Sequence, residues 1–506
     1  MEINTNIENN YDFQDIIKLF IPQNFEEYDI VVNHELEEKE NKIYNKYKII
    51  NQKQEFDYEK ISDVSNFISS KSFAKIGLYE ILSKIFNKSM PYGALTGIRP
   101  VKFCYDLFKK GLPKTSIENF LKNNYHVSKE KVDLIIDIII NQKNLDLNDK
   151  LVDFYINIPF CPSRCAYCSF ISMETEKAGK LVDEYVDKLV YEIEKTKQFL
   201  MENYFIVKSV YIGGGTPTSL NVNQLEKILQ SVSFKVKEFT VEAGRPDTIT
   251  KEKLDLLQKY GVSRISINPQ TFNDKVLKTI GRKHTAMEAL DAYKLARNYN
   301  FDINMDLIMG LNKDTIKSFS ETMDIALYLK PENITIHTLA LKRASKLKED
   351  NENIFKNESK VMKMSKIATT KLKENGYKPY YLYRQKNMVS GQENVGYFID
   401  NKICYFNIDS MDELSSIVAC GANGISKRIF SLTNRIERFA NVKDIKEYNN
   451  RVDEMIEKKK ELFSESEFKK QTNKVIKWYE NKILNNIFSD KTKKFRSLQN
   501  NLYVLK

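Results

Sequence analysis

YINIPFCPSRCAYCSF, residues 155–170, sets Cys161, Cys165 and Cys168 directly behind a strand-like apolar run. Thiolates are the usual ligands of iron–sulfur clusters, and C-x3-C-x2-C spacing in a loop lets three of them converge on one cubane. Three ligands leave one iron open to a substrate or cofactor. A structural zinc site takes four ligands, commonly in two separated pairs, and no second Cys or His pair lies nearby. A redox pair needs only Cys165 and Cys168 and leaves Cys161 without a role. Cys104, Cys404 and Cys420 stand isolated and read as small core residues.

Working outward, short apolar runs alternate with amphipathic ones, the pattern of repeated βα units and a parallel sheet. Strands are expected at Val152–Ile158, Ser209–Ile212, Phe239–Glu242, Arg264–Asn268, Ile303–Ile308 and Asn333–His337. Helices are expected at about 178–201, 222–232, 250–260, 285–299 and 314–329. The fold class is therefore α/β, a partial (β/α)6 barrel over residues 149–380 with its chemistry at the carboxyl ends of the strands. Residues 1–148 read as an N-terminal α+β domain, with strands near 28–35 and 42–50 and helices near 58–87, 100–110, 115–124 and 128–143. Residues 381–506 read as a mostly helical C-terminal region, lysine-rich with interleaved acids.

A chain of 506 residues with 42% hydrophobic and 29% charged residues has the material for several solvated domains. Its net charge of +11 suits an acidic ligand, but no basic–aromatic recognition motif accompanies it, so nucleic acid is not an expected partner. MEINTNIENN has neither the basic flank nor the apolar core of a targeting signal. The longest apolar run, Leu134–Ile140, contains Asp137 and is far shorter than the roughly 20 residues of a membrane span. A cytoplasmic monomer with no membrane span is expected, and six cysteines in so long a chain are no disulfide framework. The four histidines (34, 126, 284 and 337) form no hydrolytic constellation.

With an aromatic residue before its last cysteine, the triplet resembles the radical S-adenosylmethionine (SAM) superfamily. The string Tyr155-x-x-Ile158-Pro159-Phe160-Cys161 resembles the oxygen-independent coproporphyrinogen III oxidase (coproporphyrinogen dehydrogenase) family, over about residues 150–430. LTGIRP at 95–100 and YYLYRQKN at 380–387 resemble its longer paralogue branch with an N-terminal extension. The resemblance implies a [4Fe–4S] cluster on Cys161, Cys165 and Cys168 and one or two SAM molecules. It places Gly214, Gly215 and Thr216 of the GGGTP loop at the SAM amino group, and Glu242 at its ribose. Gln270, Arg282 and Asp306 resemble residues that hold a second SAM, which Ala340 is expected to contact as well; Tyr155 and Tyr167 flank the cluster loop and are expected to pack on SAM.

The implied reaction is oxidative decarboxylation of coproporphyrinogen III to protoporphyrinogen IX in haem biosynthesis, by a 5′-deoxyadenosyl radical that takes hydrogen from two propionates. An unidentified low-potential electron donor is implied as partner. A tetracarboxylate porphyrinogen needs cations, for which Arg245, Lys342, Arg343 and Arg384 are candidates. Two other readings stand: a haem or porphyrin carrier that kept the barrel, and radical SAM chemistry on another substrate such as RNA. Asn157 and Phe170 depart from the main branch, which has His and Cys there. Glu393 and Phe398 replace the His and Trp of the haem-chaperone branch's His-Asn-x-x-Tyr-Trp.

Overall fold

The strand Leu151–Ile158 alternates strictly: Val152, Phe154, Ile156 and Ile158 turn to one apolar face, and Asp153, Tyr155 and Asn157 to the other. The same rule governs the neighbouring strands. Their apolar residues, such as Ile212, Val241, Ile265, Ile303 and Ile334, lie in the main core under the helices, each contributing about 1.5–3 kcal/mol by burial. Their polar residues face inward and build the site.

The structure, a computed structural model, describes residues 1–464 except 8–10, 22–27, 65–67, 97–98, 143–144, 146–147, 169–171, 341–357, 385–391 and 432–434. An N-terminal sheet places β1 (Glu2–Thr5) parallel to β2 (Ile30–Lys39), followed by β3 (Lys42–Asn51) and β4 (Gln54–Asp63) as an antiparallel meander. Both hairpin turns, Glu40-Asn41 and Gln52-Lys53, carry positive φ at their two central residues, which matches the twist of paired strands. Residues 58–63, expected to open a helix, thus belong to β4, and the helix begins at Ser70 behind its Ser69 cap. Helices Pro100–Lys109, Lys114–Asn123 and Lys129–Asn141 complete the domain.

The barrel strands are β5 (Leu151–Ile158), β8 (Ile206–Gly214), β9 (Glu238–Glu242), β10 (Arg264–Ser266), β11 (Asp302–Met309) and β12 (Asn333–Thr338). They lie side by side in that order, all parallel. Between β5 and β8, the two-residue strands β6 (Phe160–Cys161) and β7 (Met173–Glu174) pair and clasp the base of the cysteine loop.

Beyond the barrel are β13 (Lys378–Tyr383), β14 (Asn394–Phe398), β15 (Ser416–Cys420), β16 (Ile425–Phe430) and β17 (Arg435–Ala440). The last four correct the reading of the C-terminal region as mostly helical: they extend the barrel sheet at both edges, β14 against β12 and β15 against β5. Residues 465–506, also read as helical, lie outside the described residues.

One end of the curled sheet is stoppered by residues 402–412. The helix Tyr405–Asp412 starts against Glu238, whose carboxylate accepts the N–H groups of Tyr405 and Phe406 at 3.2 and 3.4 Å. Arg264 donates to Ile403 O at 2.9 Å and Asn333 to Lys402 O at 2.8 Å. Phe406 stacks on Tyr211 at 4.3 Å and on Tyr155 at 5.8 Å. The opposite, carboxyl end is where the cysteines stand. No helix among the described residues is long and apolar enough to cross a membrane.

Candidate active site

The cysteine loop is sewn to the strand ends by backbone hydrogen bonds. Gly215 donates to Ile158 O and Thr216 to Phe160 O, both at 2.7 Å, while Ala166 donates to Ile280 O at 3.0 Å. The first two bonds hold the GGGTP loop flat against the start of the cysteine loop, and the third ties the cysteine loop to the C-cap of the helix Asp274–Thr279. Gly214 has φ +108°, and a Cβ there would stand 2.2 Å from Asn157 Oδ1. At Gly215 a Cβ would stand 2.4 Å from Phe160 O and 3.0 Å from Cys161 Sγ. Only glycine fits, and the bare backbone lies directly beside a cysteine sulfur. Thr216 is buried with Oγ1 3.6 Å from that sulfur.

Cys165 is buried and Cys161 and Cys168 half-buried. Burial first, and the nearby Cys165 thiol, raise the Cys161 pKa, against the lowering contributions of Thr216 and Ser172. Among the described residues no three Cys, His, Asp or Glu side chains converge closely enough for a single metal ion. A cubane takes each thiolate on a different iron, so its ligands stand farther apart than those of one ion. The donor set, three thiols of one clasped loop beside a bare glycine backbone, fits a [4Fe–4S] cluster with a ligand at its open iron.

The inward residues of the next strands line the space above the stopper. Tyr211 OH donates to Glu242 Oε1 at 2.5 Å, and burial lifts the Glu242 pKa from 4.5 to about 7. Asp306, on β11 two strands away, accepts from Asn304 Nδ2 at 2.8 Å and has His337 Nε2 at 3.6 Å. Burial opposes its ionisation, but His337 and Asn304 outweigh it and lower its pKa. Two carboxylates in one mouth are thereby pushed apart in acidity. Gln270 is bridged to Leu307 at φ +68°, and its buried Oε1 has no hydrogen-bond partner among the described residues. A buried unpaired amide oxygen fits a ligand donor. Ala340 is half-buried just past β12.

Arg282 stands three residues past the helix Asp274–Thr279. It is buried and forks onto Tyr167 OH at 2.8 and 3.2 Å, with its third donor on Gly244 O at 3.2 Å. The structure therefore brings Arg282 and Tyr167 together behind the cysteine loop. Tyr155 OH donates to Asn157 Oδ1 at 2.9 Å, and its ring belongs to the aromatic floor.

Two of the four cations read as porphyrinogen partners are already engaged. Arg245 pairs with Asp247 at 2.9 Å and reaches under the cysteine loop. Arg384 donates to Leu95 O at 2.7 Å and lies 4.3 Å over the Tyr92 ring, at the junction with the N-terminal domain. Lys342, Arg343 and Phe170 lie outside the described residues. Asn157 bridges two loops, donating to Ala422 O at 2.6 Å while it walls Gly214. Glu393 is buried and accepts from Lys131 Nζ at 2.7 Å. Sequence reasoning missed Tyr211 and Asn268, whose Oδ1 accepts from Asp306 N at 3.2 Å. The two-residue period could have placed Tyr211 on the face of Gly213.

A curled parallel sheet carrying a three-cysteine loop at its first strand end is the architecture of radical SAM proteins, and residues 155–326 match the Radical SAM superfamily. Among curated relatives, the chain is 38% identical over 414 residues to the "Oxygen-independent coproporphyrinogen-III oxidase-like protein HemZ" of Bacillus subtilis (strain 168), covering 79% of this chain and 81% of that one. The chain belongs to this HemZ-like family of radical SAM proteins. It is also 36% identical over 192 residues to the "Heme chaperone HemW" of the same organism, covering 37% of this chain and 49% of that one. Coproporphyrinogen III oxidase (HemN) from Escherichia coli, a radical SAM enzyme, superposes with a TM-score of 0.48 at 22% identity, covering 63% of this chain and 72% of that one. With the family go a [4Fe–4S] cluster and SAM.

Proposed function

We propose that the chain catalyses the oxygen-independent oxidative decarboxylation of coproporphyrinogen III to protoporphyrinogen IX. The observation that carries the reading is the bare Gly215 backbone beside Cys161 Sγ, at the mouth of a polar-lined barrel closed at its far end. It is supported by the name of the HemZ relative, which resembles this chain over most of both lengths.

In this reading Cys161, Cys165 and Cys168 hold the cluster, and Gly214, Gly215 and Thr216 present backbone groups to SAM. A [4Fe–4S] cluster held there would supply, when reduced, one electron for cleavage of SAM, the chemistry by which each propionate would lose a hydrogen atom, CO2 and one further electron to an acceptor on its way to a vinyl group. Glu242, held by Tyr211, accepts from the ribose; Gln270, Asp306 and Ala340 contact a second SAM. The Tyr155–Tyr211–Phe406 stack and the stopper below it keep water from the reacting carbon. Arg282 acts through Tyr167, fixing the ring that packs on SAM. Lys342 and Arg343 are the remaining candidates for the substrate carboxylates.

The carrier reading is disfavoured by Glu393. It stands where the haem-chaperone branch has its histidine, and its carboxylate is taken up by Lys131. The test is an anaerobic assay of reconstituted protein with SAM, dithionite and coproporphyrinogen III, following 5′-deoxyadenosine and porphyrin products together. Decarboxylated product in step with 5′-deoxyadenosine is expected. SAM cleavage with no porphyrin turnover discards the substrate, and haem retention without SAM cleavage discards the enzyme.

A further inference from the structure

The side chain of Arg245, in the turn after β9, is 4% exposed. Its Nε and Nη2 donate to the two carboxylate oxygens of Asp247 at 3.0 and 2.9 Å. Its remaining nitrogen, Nη1, points the other way, into the cysteine loop. There it donates to Ser163 Oγ at 3.0 Å, to Ser163 O at 3.3 Å and to Cys165 Sγ at 3.9 Å. One rigid guanidinium thus spans from a carboxylate to a sulfur, and the fork fixes which nitrogen faces the sulfur. His284 closes the far side, with Nδ1 3.9 Å from Asp247 Oδ1.

We propose that Arg245 is a positioning residue that sets the reduction potential of the [4Fe–4S] cluster through the sulfur of Cys165, with Asp247 as its clamp. The proposal rests on Cys165 being a cluster ligand and not on the identity of the substrate. Reduction adds one negative charge to the cluster and its thiolates. A cation that donates to one of those sulfurs stabilises the reduced form more than the oxidised form and raises the potential. Asp247 offsets part of this charge, but the guanidinium lies between the carboxylate and the sulfur, so the nearer charge at Cys165 is positive. Low-dielectric surroundings keep the effect from being screened. Ser163, held by the same nitrogen, fixes the loop between Cys161 and Cys165, so the contact sets ligand position as well as charge.

The test is a dithionite-poised redox titration of the full-length reconstituted protein, read by electron paramagnetic resonance. Arg245→Gln is expected to load iron and sulfide as the wild type does. It should be about tenfold harder to reduce, a midpoint lowered by about 59 mV for a one-electron couple. Arg245→Lys, which keeps the charge, should recover most of the shift. Asp247→Asn removes the offsetting carboxylate and should move the midpoint upward. A fully loaded Arg245→Gln protein with the wild-type midpoint overturns the proposal. Should that variant fail to load, Asp247→Asn decides, and an unmoved midpoint there overturns it equally. A wild-type protein that binds no iron overturns the ligand assignment instead, which separates the two failures.

Discussion

Tyr211 and Glu242, on adjacent strands of the barrel, share a 2.5 Å hydrogen bond in which the phenol donates to the carboxyl. Burial raises Glu242 from 4.5 to about 7, Asp306 adds to the rise, and Tyr211, Gly214 and His337 oppose it. Between those two values the folded protein holds a proton that the unfolded chain has lost. Glu242 therefore contributes stability that is fully present below pH 4.5 and lost as pH rises through about 7.

Glu242→Gln removes this dependence. The variant should gain on the wild type by about 1–3 kcal/mol between pH 5 and pH 8. Thermal melting at the two pH values measures it. A difference between variant and wild type that stays constant with pH contradicts the protonation assigned to Glu242.

Gly215→Ala brings a methyl group 2.4 Å from Phe160 O and 3.0 Å from Cys161 Sγ. The first of these neighbours is backbone and has little freedom to give way, so the cysteine loop moves instead. The expected result is a folded protein whose reconstituted iron content falls severalfold. Wild-type loading in this variant contradicts the close packing of loop on cradle.

Lys131 and Glu393 join the N-terminal domain to β14 with side chains 5% and 4% exposed. Lys131→Met leaves a buried carboxylate without its cation and should cost about 3–5 kcal/mol. The pair Lys131→Met with Glu393→Leu removes both charges and should recover most of that loss. Urea unfolding of the three proteins gives the cycle. Equal losses in the single and double variants contradict a buried pair.

The six barrel strands, the cysteine triplet and the glycine turn were legible because each is written locally, in a period or a spacing. Strand β4 was not: its side chains are largely exposed, and Gln52-Lys53 carries no glycine to announce a turn. Strands β14 to β17 were hidden for another reason. For β14 and β15 the partners that join them to the barrel are distant in sequence, as where Val418 pairs with Phe154 and Val395 with Ile336, while β16 and β17 follow as successive antiparallel neighbours of β15. The fates of Arg245, Arg282 and Arg384 were likewise set by what the fold folds against them. Charge points Arg245 and Arg384 to the substrate and resemblance points Arg282 to SAM; their neighbours in the fold are Asp247, Tyr92 and Tyr167 respectively.

The most direct measurement compares the wild type with Cys165→Ala after anaerobic reconstitution, scoring iron content and 5′-deoxyadenosine formed from SAM with dithionite. The assignment of Cys165 as a cluster ligand predicts a four-iron cluster and SAM cleavage in the wild type, and a folded variant with neither. Full iron content and SAM cleavage in Cys165→Ala would contradict it.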